Sequence, residues 1–141
     1  MKGHGKLMNN IEYFEIEPLD EFANSLSNLV KKKRFHTLPS QIRDLNNDLK
    51  KGVFPGDLIS VSSEPKAYKV YKLRLPNPDA NVGKSNGYRI YYLVVTESRL
   101  VVILTIYYKK EIEAVSDIYI KGLIDGYFLD TTPFDDDGGL I

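Results

Sequence analysis

The chain of 141 residues contains no cysteine and only two histidines. Without cysteine it can form neither disulfides nor thiolate metal sites, and cysteine usage says nothing about its redox compartment. The two histidines are His4, in a polar N-terminal stretch, and His36, in a connection between two predicted helices. The sequence therefore disfavours a nuclease that works through a pair of histidines.

Long apolar runs are also missing. The first ten residues are polar and contain glycine, where a secretory signal would need an apolar core, and no run approaches the ~18 residues of a membrane span. We therefore expect a cytoplasmic protein without a membrane partner. Its 43% hydrophobic residues suffice for one core. The predicted organisation is a flexible leader at 1–10, one domain at 11–128, and an acidic, disordered tail at 129–141.

The charges are balanced overall but separated along the chain. The formal net charge is zero, yet between residues 66 and 110 only Asp79 and Glu97 oppose a long series of lysines and arginines. From residue 111 onward the balance reverses, and Lys121 is the single basic residue among many acidic ones. This asymmetry predicts a local binding site for a polyanion in the middle segment.

The order of predicted elements is β-α-α-β-β-β-α. Runs of β-branched and aromatic residues predict strands at 11–16, 68–75, 88–96 and 99–108, with a short extended piece at 58–61. Apolar residues three and four apart predict helices over 19–30, from Pro39 to about Gly52, and from Glu111 onward. The predicted fold class is α+β, with an antiparallel sheet covered by helices on one face and the other face left available.

Alternation along the three basic strands sorts their side chains, because residues two apart share a face of a sheet. One face is predicted to be apolar, with Tyr71, Leu73, Leu75, Ile90, Tyr92, Val94, Val102, Leu104 and Ile106. The opposite face would gather Lys72, Arg74, Arg89, Tyr91, Thr105, Tyr107 and Lys109.

A cationic surface with tyrosines suits unpaired RNA. The cations neutralise phosphates, and aromatic rings stack on bases for roughly 1–3 kcal/mol each. Cleavage further requires a base for the ribose 2′-hydroxyl, charge stabilisation at the phosphorane, and an acid for the 5′-oxygen. Because that face has no histidine, lysine or tyrosine would supply these groups, with pKa values lowered by neighbouring cations.

Each of these features also has a simpler interpretation. A single lysine or arginine on a strand is more often solvated than functional, and Tyr91 is more often a packing residue. Lys31–Arg34 is more often a solvated helix end than a second RNA site, and Lys84–Gly87 is too short for a Walker phosphate loop. Asp135–Asp137 could hold a divalent cation, although a solvated tail is the commoner case.

Three segments of the chain resemble the RelE/HigB superfamily of bacterial toxins, especially its HigB-like branch. They are Tyr-Lys-Leu-Arg-Leu at 71–75, Gly-Lys-Ser-Asn-Gly-Tyr-Arg-Ile-Tyr-Tyr at 83–92 and Leu-Thr-Ile-Tyr-Tyr-Lys-Lys-Glu at 104–111. The branch typically has a Lys-x-Arg strand, a Gly-Lys-(small)-Gly-Gly loop before an aromatic-rich Arg strand, and a last strand ending Thr-x-Tyr-x-Lys-x-Glu. The resemblance follows the element order over about 11–125 and is sharp over 68–111, with Asn86 where the branch usually has glycine.

The resemblance implies a RelE-like fold and the toxin of a toxin–antitoxin pair. Such a toxin is a ribosome-dependent mRNA endoribonuclease that inhibits translation and binds a cognate antitoxin. Lys72 and Arg74 would bind phosphate and take part in proton transfer, Arg89 would stabilise the transition state, and Tyr107 and Lys109 would complete the catalytic set. The RNA-binding residues would be Lys69, Lys84, Tyr91 and Lys110, where Lys110 matches a catalytic arginine of some members. No metal or cofactor is implied.

Two other functions fit the same residues. The chain could be a RelE-fold module that binds RNA or protein without cutting, since the basic face has no histidine and the acidic tail after Asp130 is not typical of the family. It could also be a purely protein-binding module, in which case its affinity for RNA would not depend on salt. The tail itself is either inert or folds back over the basic face as a mimic of RNA, and the general base stays open.

Overall fold

The computed structural model describes residues 7–8 and 11–131, with side chains from 13 to 129. The strands are β1 (Leu7–Met8), β2 (Ile11–Glu12), β3 (Glu15–Pro18), β4 (Asp57–Ser62), β5 (Tyr68–Leu75), β6 (Tyr88–Val95) and β7 (Leu100–Tyr108). The helices are α1 (Asp20–Ser27), which continues into a π-helical turn at Asn28–Lys32, α2 (Leu38–Lys50) and α3 (Asp117–Thr131). Two 3-10 turns, Pro78–Ala80 and Lys84–Asn86, lie between β5 and β6.

A five-stranded sheet in the order β3-β7-β6-β5-β4 forms the centre of the fold, and β1 pairs with β2 separately. Strands β4 to β7 are antiparallel neighbours, as predicted. The prediction of a wholly antiparallel sheet is wrong at one edge, because β3 runs parallel to β7. The predicted strand at 11–16 is divided between β2 and β3, and only β3 joins the main sheet. The fold class α+β is confirmed.

The first face of the sheet packs against α1 and α2. Both helices form where the apolar spacing predicts them. Gly52, the predicted end of α2, follows the C-cap Lys51 with a φ of 81°, the left-handed conformation that favours glycine after a helix. Phe22 of α1 and Leu38, Ile42, Leu45 and Leu49 of α2 are buried in one cluster with the apolar residues of β5, β6 and β7. This core fixes the backbone on which the opposite face is displayed.

The sequence predicted that the second face is left available, but this is wrong for part of its length. Helix α3 packs on it and buries Ile120 and Ile124 against Val70, Leu93 and Leu104. The reason is that this face carries apolar residues at one end of the strands and cations at the other. The helix covers the apolar end, and the basic end lies beyond it.

Helix α3 begins at Asp117 and not at Glu111, so the predicted start is wrong. The hydroxyl oxygen of Ser116 accepts a hydrogen bond of 3.0 Å from the backbone N–H of Tyr119. Serine in this position is a strong N-cap, because it satisfies one of the free N–H groups of the first turn. Spacing from Glu111 would put Ile118 on the apolar side of this helix, but Ile118 is 85% exposed and Ile120 is buried instead.

Two tyrosines tie α3 to helix α1 and to the edge strand β3. The hydroxyl of Tyr119 donates to the carboxylate of Glu21, and that of Tyr127 donates to Glu17 at 2.8 Å. Burial, followed by the hydrogen bond to each carboxylate, raises the pKa of both tyrosines to about 12 from an ordinary 10.0. Each phenol must therefore stay protonated for α3 to keep these contacts.

We expect α3 to detach in alkali. A pKa that is raised in the folded state contributes stability that is complete below pH ~10 and is lost as the pH rises toward ~12. Near-ultraviolet circular dichroism and limited proteolysis between pH 8 and pH 12 would follow the release of α3. The double variant Tyr119→Phe/Tyr127→Phe cannot ionise at these sites, so its alkaline transition should move to higher pH. An unchanged transition would show that these tyrosines do not control docking.

Only a few residues of the predicted leader and tail belong to the part of the chain that the structure describes. Leu7–Met8 lies within the predicted leader and forms β1, and α3 runs two residues beyond 129. Most of the predicted leader and tail, including His4 and the acidic residues Asp135–Asp137, lies outside the described residues.

Candidate nucleic-acid interface

The strand register brings the predicted basic residues together. Arg74 of β5 is directly opposite Arg89 of β6, which in turn is opposite Tyr107 of β7. One step further along, Lys72 is opposite Tyr91, and Tyr91 is opposite Thr105. Directly opposed residues have Cβ atoms about 4.5–5.5 Å apart. These two rows, with Lys84 and Lys109 at their margin, form what we call the basic end of the sheet.

The predicted sorting of faces holds for β5 and β6 and fails for half of β7. A β-bulge interrupts the pairing, because Tyr91 is opposite Thr105 while Tyr92 is opposite Ile103. The extra residue, Leu104, resets the alternation. Val102 and Leu104 therefore lie under α3, on the same face as Tyr107, although alternation had assigned them to the apolar face packed against α1 and α2.

Aromatic rings connect the two rows of the basic end. The rings of Tyr91 and Tyr107 are stacked, with centroids 6.5 Å apart, and the Nζ of Lys72 lies 5.7 Å from the centre of the Tyr91 ring. Each of the two tyrosine residues is only 5% exposed. Tyr91 is therefore a packing residue of this face, as the simpler interpretation had it, with a lysine held over its ring.

The expectation of lowered tyrosine pKa values is wrong for Tyr91. Burial, followed by its interaction with the hydroxyl of Tyr107, raises the pKa of Tyr91 to about 12, although the charge of Arg89 acts in the opposite direction. Removing a phenol from water penalises its ionised form, and this exceeds the effect of a nearby cation. At neutral pH Tyr91 carries its proton, so it can donate a hydrogen bond but cannot act as a general base.

Arg89 is a buried residue, only 5% exposed, and its guanidinium points into the loop before β6. One nitrogen donates to the carbonyl of Lys84 at 2.7 Å and to that of Tyr88 at 3.2 Å, and the other donates to Ser85 at 2.9 Å. Three of its five N–H groups thus bind backbone carbonyls. Arg89 fixes the loop that carries Lys84, in addition to placing a positive charge beside Arg74.

The connection between β5 and β6 is held from two further sides. The carboxylate of Asp79 accepts hydrogen bonds from the backbone N–H of Thr37 at 2.8 Å and from its hydroxyl at 3.0 Å. The backbone N–H of Lys109 donates to the carbonyl of Gly87 at 2.8 Å. The loop is therefore tied to the start of α2 and to the end of β7.

The remaining predicted residues are distributed unequally. Arg74 and Lys84 are exposed at the basic end, and Lys109, half-buried, follows β7 at the same edge. Lys110 is exposed in the turn after β7. Lys69 does not join them, because it is opposite Val94, whose side chain belongs to the core on the face of α1 and α2. Because side chains alternate along β5, Lys69, three positions before Lys72, lies on the face opposite to that of Lys72 and Arg74.

Acidic side chains near the basic end are few among the described residues. Glu111 forms an ion pair of 2.5 Å with Lys33, which leaves the cations of the sheet without that carboxylate as a partner. Asp57 of the edge strand β4 is opposite Lys72. Within residues 13–129 no three histidine, aspartate or glutamate side chains meet in a way that could hold a metal ion. His36 is exposed in the connection before α2, as predicted.

Among known proteins, the chain is similar to solved structures alone. No family model matches the chain, and no curated protein matches it. The chain is similar to the isolated E. coli RelE toxin, with 17% identity and a TM-score of 0.45, over 80% of this chain and 97% of that one. It is also similar to a free-state E. coli RelE variant in which two arginines are replaced by alanine. That likeness has 16% identity and a TM-score of 0.45, over 82% of this chain and 96% of the other. In the part of the chain that the structure describes, no helix could cross a membrane.

Proposed function

We propose that the chain is an endoribonuclease that acts on single-stranded RNA at the basic end of its sheet. One observation carries the proposal: the register aligns Arg74, Arg89 and Tyr107 in one row beside Lys72. An exposed arginine next to a lysine can hold a phosphate from two directions, and nothing on the described strands β5 to β7 opposes them with a carboxylate.

The reaction is a transesterification within the RNA. The ribose 2′-oxygen attacks the adjacent phosphorus and loses its proton, the bond from phosphorus to the 5′-oxygen breaks, and that oxygen gains a proton. The products are a 2′,3′-cyclic phosphate and a 5′-hydroxyl. Arg74 and Lys72 stabilise the added negative charge. Lys72, Tyr107 and Lys109 are the groups at the basic end that are available for proton transfer, while Tyr91 serves as a hydrogen-bond donor.

The biological setting of the proposal comes from the resemblance of residues 71–75, 83–92 and 104–111 to the HigB-like branch. On that basis the substrate is mRNA on the ribosome, the consequence is inhibition of translation, and the protein partner is a cognate antitoxin. The site needs no metal or cofactor, because its cations are supplied by side chains.

A second candidate is a module that binds RNA without cutting it. Two observations favour this alternative: the hydroxyl of Tyr91 has a raised pKa, and the guanidinium of Arg89 is engaged by loop carbonyls. Both reduce the number of groups that can take part in chemistry. Binding and cleavage must therefore be measured separately in the same variants.

Arg74→Ala is the variant that tests the nuclease. Arg74 is exposed, so its removal leaves the core intact, whereas removing Arg89 would also release the loop. Losing one group that stabilises developing charge typically costs about 100- to 1,000-fold in rate. Expression of the wild type in a bacterial host should stop growth and create new transcript 5′ ends. Arg74→Ala should abolish both while retaining a part of the RNA affinity.

Arg43→Ala is the matched control, because Arg43 is an exposed arginine on α2, which covers the other face of the sheet. It should arrest growth like the wild type. If soluble, folded wild type allows healthy growth and yields no new ends, the nuclease proposal fails and the non-cutting binder is favoured. RNA affinity that falls steeply with salt would support either RNA function over a protein-binding module.

A further inference from the structure

A groove of about 520 Å³ lies between α3 and strands β4 and β5, directly beside the basic end. Val70 and Tyr91 belong to its floor, and Ile120 of α3 to its wall. Ser60, Lys72, Asp117 and Lys121 supply the polar groups around it. We call it the α3–β5 groove. Its size lies within the range of small-molecule sites.

The groove and the basic end share two residues. Lys72 and Tyr91 line the groove and also form one row of the basic end. Arg74 follows Lys72 by two positions on the same strand and on the same face, a separation of about 6.6–6.8 Å. An RNA strand whose phosphate contacts Arg74 and Lys72 therefore has the groove within reach of a neighbouring nucleotide.

The charges of the groove are suited to a base and not to a second phosphate. The carboxylate of Asp117 repels an anion, but it can accept a hydrogen bond from the exocyclic amino group of a base. The ammonium group of Lys72 can donate to ring nitrogen or carbonyl acceptors of the same base, and so can that of Lys121, which also pairs with Asp125 at 3.2 Å. The apolar lining formed by Ile59, Val70, Ile120 and Ile124 is suited to the flat, weakly polar face of an aromatic heterocycle.

We propose that the α3–β5 groove binds one unpaired nucleobase that carries an amino group, next to a phosphate held by Lys72 and Arg74. The inference rests on the proposed function and deepens it, because it assigns a base preference to the same site. Cytosine, adenine and guanine have the exocyclic amino group that Asp117 would bind, whereas uracil has none, and its one ring donor, the N3–H, lies between two carbonyl oxygens that a carboxylate repels. Uracil is therefore the base that the groove binds least well.

The test uses the whole chain and two short RNAs, a hexamer of cytidine and a hexamer of uridine. Both should shift backbone amide signals around Arg74 in nuclear magnetic resonance titrations at low salt. The cytidine hexamer should also shift those of Ser60, Asp117 and Lys121, and it should bind roughly tenfold more tightly, because a hydrogen bond from the amino group to a charged carboxylate contributes about that factor or more.

Ser60→Trp fills the groove from the exposed edge strand, where a large side chain disturbs no core. It should remove the shifts at the α3–β5 groove and lower the affinity for the cytidine hexamer to that for the uridine hexamer. Val61→Trp is the matched control, since Val61 is the next residue on β4, is 64% exposed and lines a different surface depression. It should bind both hexamers like the wild type.

Asp117→Asn provides a second, smaller change. It should remove the roughly tenfold preference for cytidine, since the charged acceptor of the amino group becomes a neutral amide that can also donate to a carbonyl of uracil. The loss of one negative charge should raise the affinity for both hexamers to a similar extent. Shifts confined to the surroundings of Arg74, or equal affinities for both hexamers in the wild type, would overturn the groove proposal while leaving the proposed function standing. If neither hexamer binds, the proposed function itself is overturned.

Discussion

Replacing Gly87 with alanine should destabilise the protein strongly and abolish any activity of the basic end. A Cβ at this position would lie 2.0 Å from the carbonyl oxygen of Leu75, 2.9 Å from the Cα of Pro76 and 3.0 Å from the carbonyl oxygen of Gly83. All three neighbours are backbone atoms, which cannot move aside without shifting β5 or the loop. We expect a loss of about 3 kcal/mol in the free energy of unfolding, at the upper end for overpacking.

Thermal unfolding followed by circular dichroism measures this effect, which should appear as a fall in Tm of roughly 10 °C. Gly83→Ala is the control from the same loop. An added Cβ there meets nothing within 4 Å, and the φ of −82° is one that alanine adopts without strain. Its Tm should be equal to or slightly above that of the wild type. If the Tm of Gly87→Ala equals that of the wild type, the close approach of β5 to the loop is contradicted.

Arg89→Ala and Arg89→Lys should impair the protein almost equally. The guanidinium binds the carbonyls of Lys84 and Ser85 at once, and a lysine ammonium keeps the charge but lacks the planar fork that spans two acceptors. Both variants should lower cleavage about 100-fold, because a displacement of about 1 Å in a positioning group can cost that much. Cleavage rates on a model RNA give the comparison.

Amide hydrogen exchange in residues 83–87 separates positioning from direct contact with RNA. If Arg89 acts through the loop, exchange of these amides should accelerate in both variants before any RNA is added. A lysine variant with normal exchange and normal cleavage would instead mean that only the charge of Arg89 matters. In that case the role that the family resemblance implies for Arg89, stabilisation of the transition state, would be the better description.

The sequence predicted the basic end well because alternation is a local property of strands. Lys72 and Arg74 lie two apart on β5, and the opposing positions on β6 follow from a short antiparallel connection. Neither inference requires knowledge of distant parts of the chain. The cations could therefore be assigned to one surface before the register was known.

Other features depend on contacts that no local pattern contains. The parallel pairing of β3 with β7 joins residues about 85 positions apart, as Glu15 and Leu100 are partners. The burial of Arg89 depends on where the carbonyls of the loop point. The position of α3 over the sheet depends on the packing of Ile120 and Ile124 against apolar residues of distant strands. The N-cap Ser116 was the local signal for the true start of that helix.

The α3–β5 groove could not be predicted for the same reason. Ser60 comes from an edge strand that the sequence indicated only as a short extended piece. Asp117 and Lys121 come from a helix that the sequence predicted without indicating which surface it packs against. Their proximity to Lys72 arises from tertiary packing alone. A signal did exist for Asp117, since it directly follows the capping serine and so occupies a defined first turn.

The bulge at Leu104 separates the two ends of β7 from one another. With the extra residue, the strand supplies Val102 and Leu104 to the underside of α3 and still presents Tyr107 at the basic end. Strict alternation over the same residues would place Tyr107, five positions after Val102, on the opposite face. Loss of the codon for Leu104 would instead leave Ile103 and Thr105 adjacent, opposite Tyr92 and Tyr91, so that both ends of β7 would keep their faces. The strand could thus lose this one residue without exchanging its inner and outer surfaces.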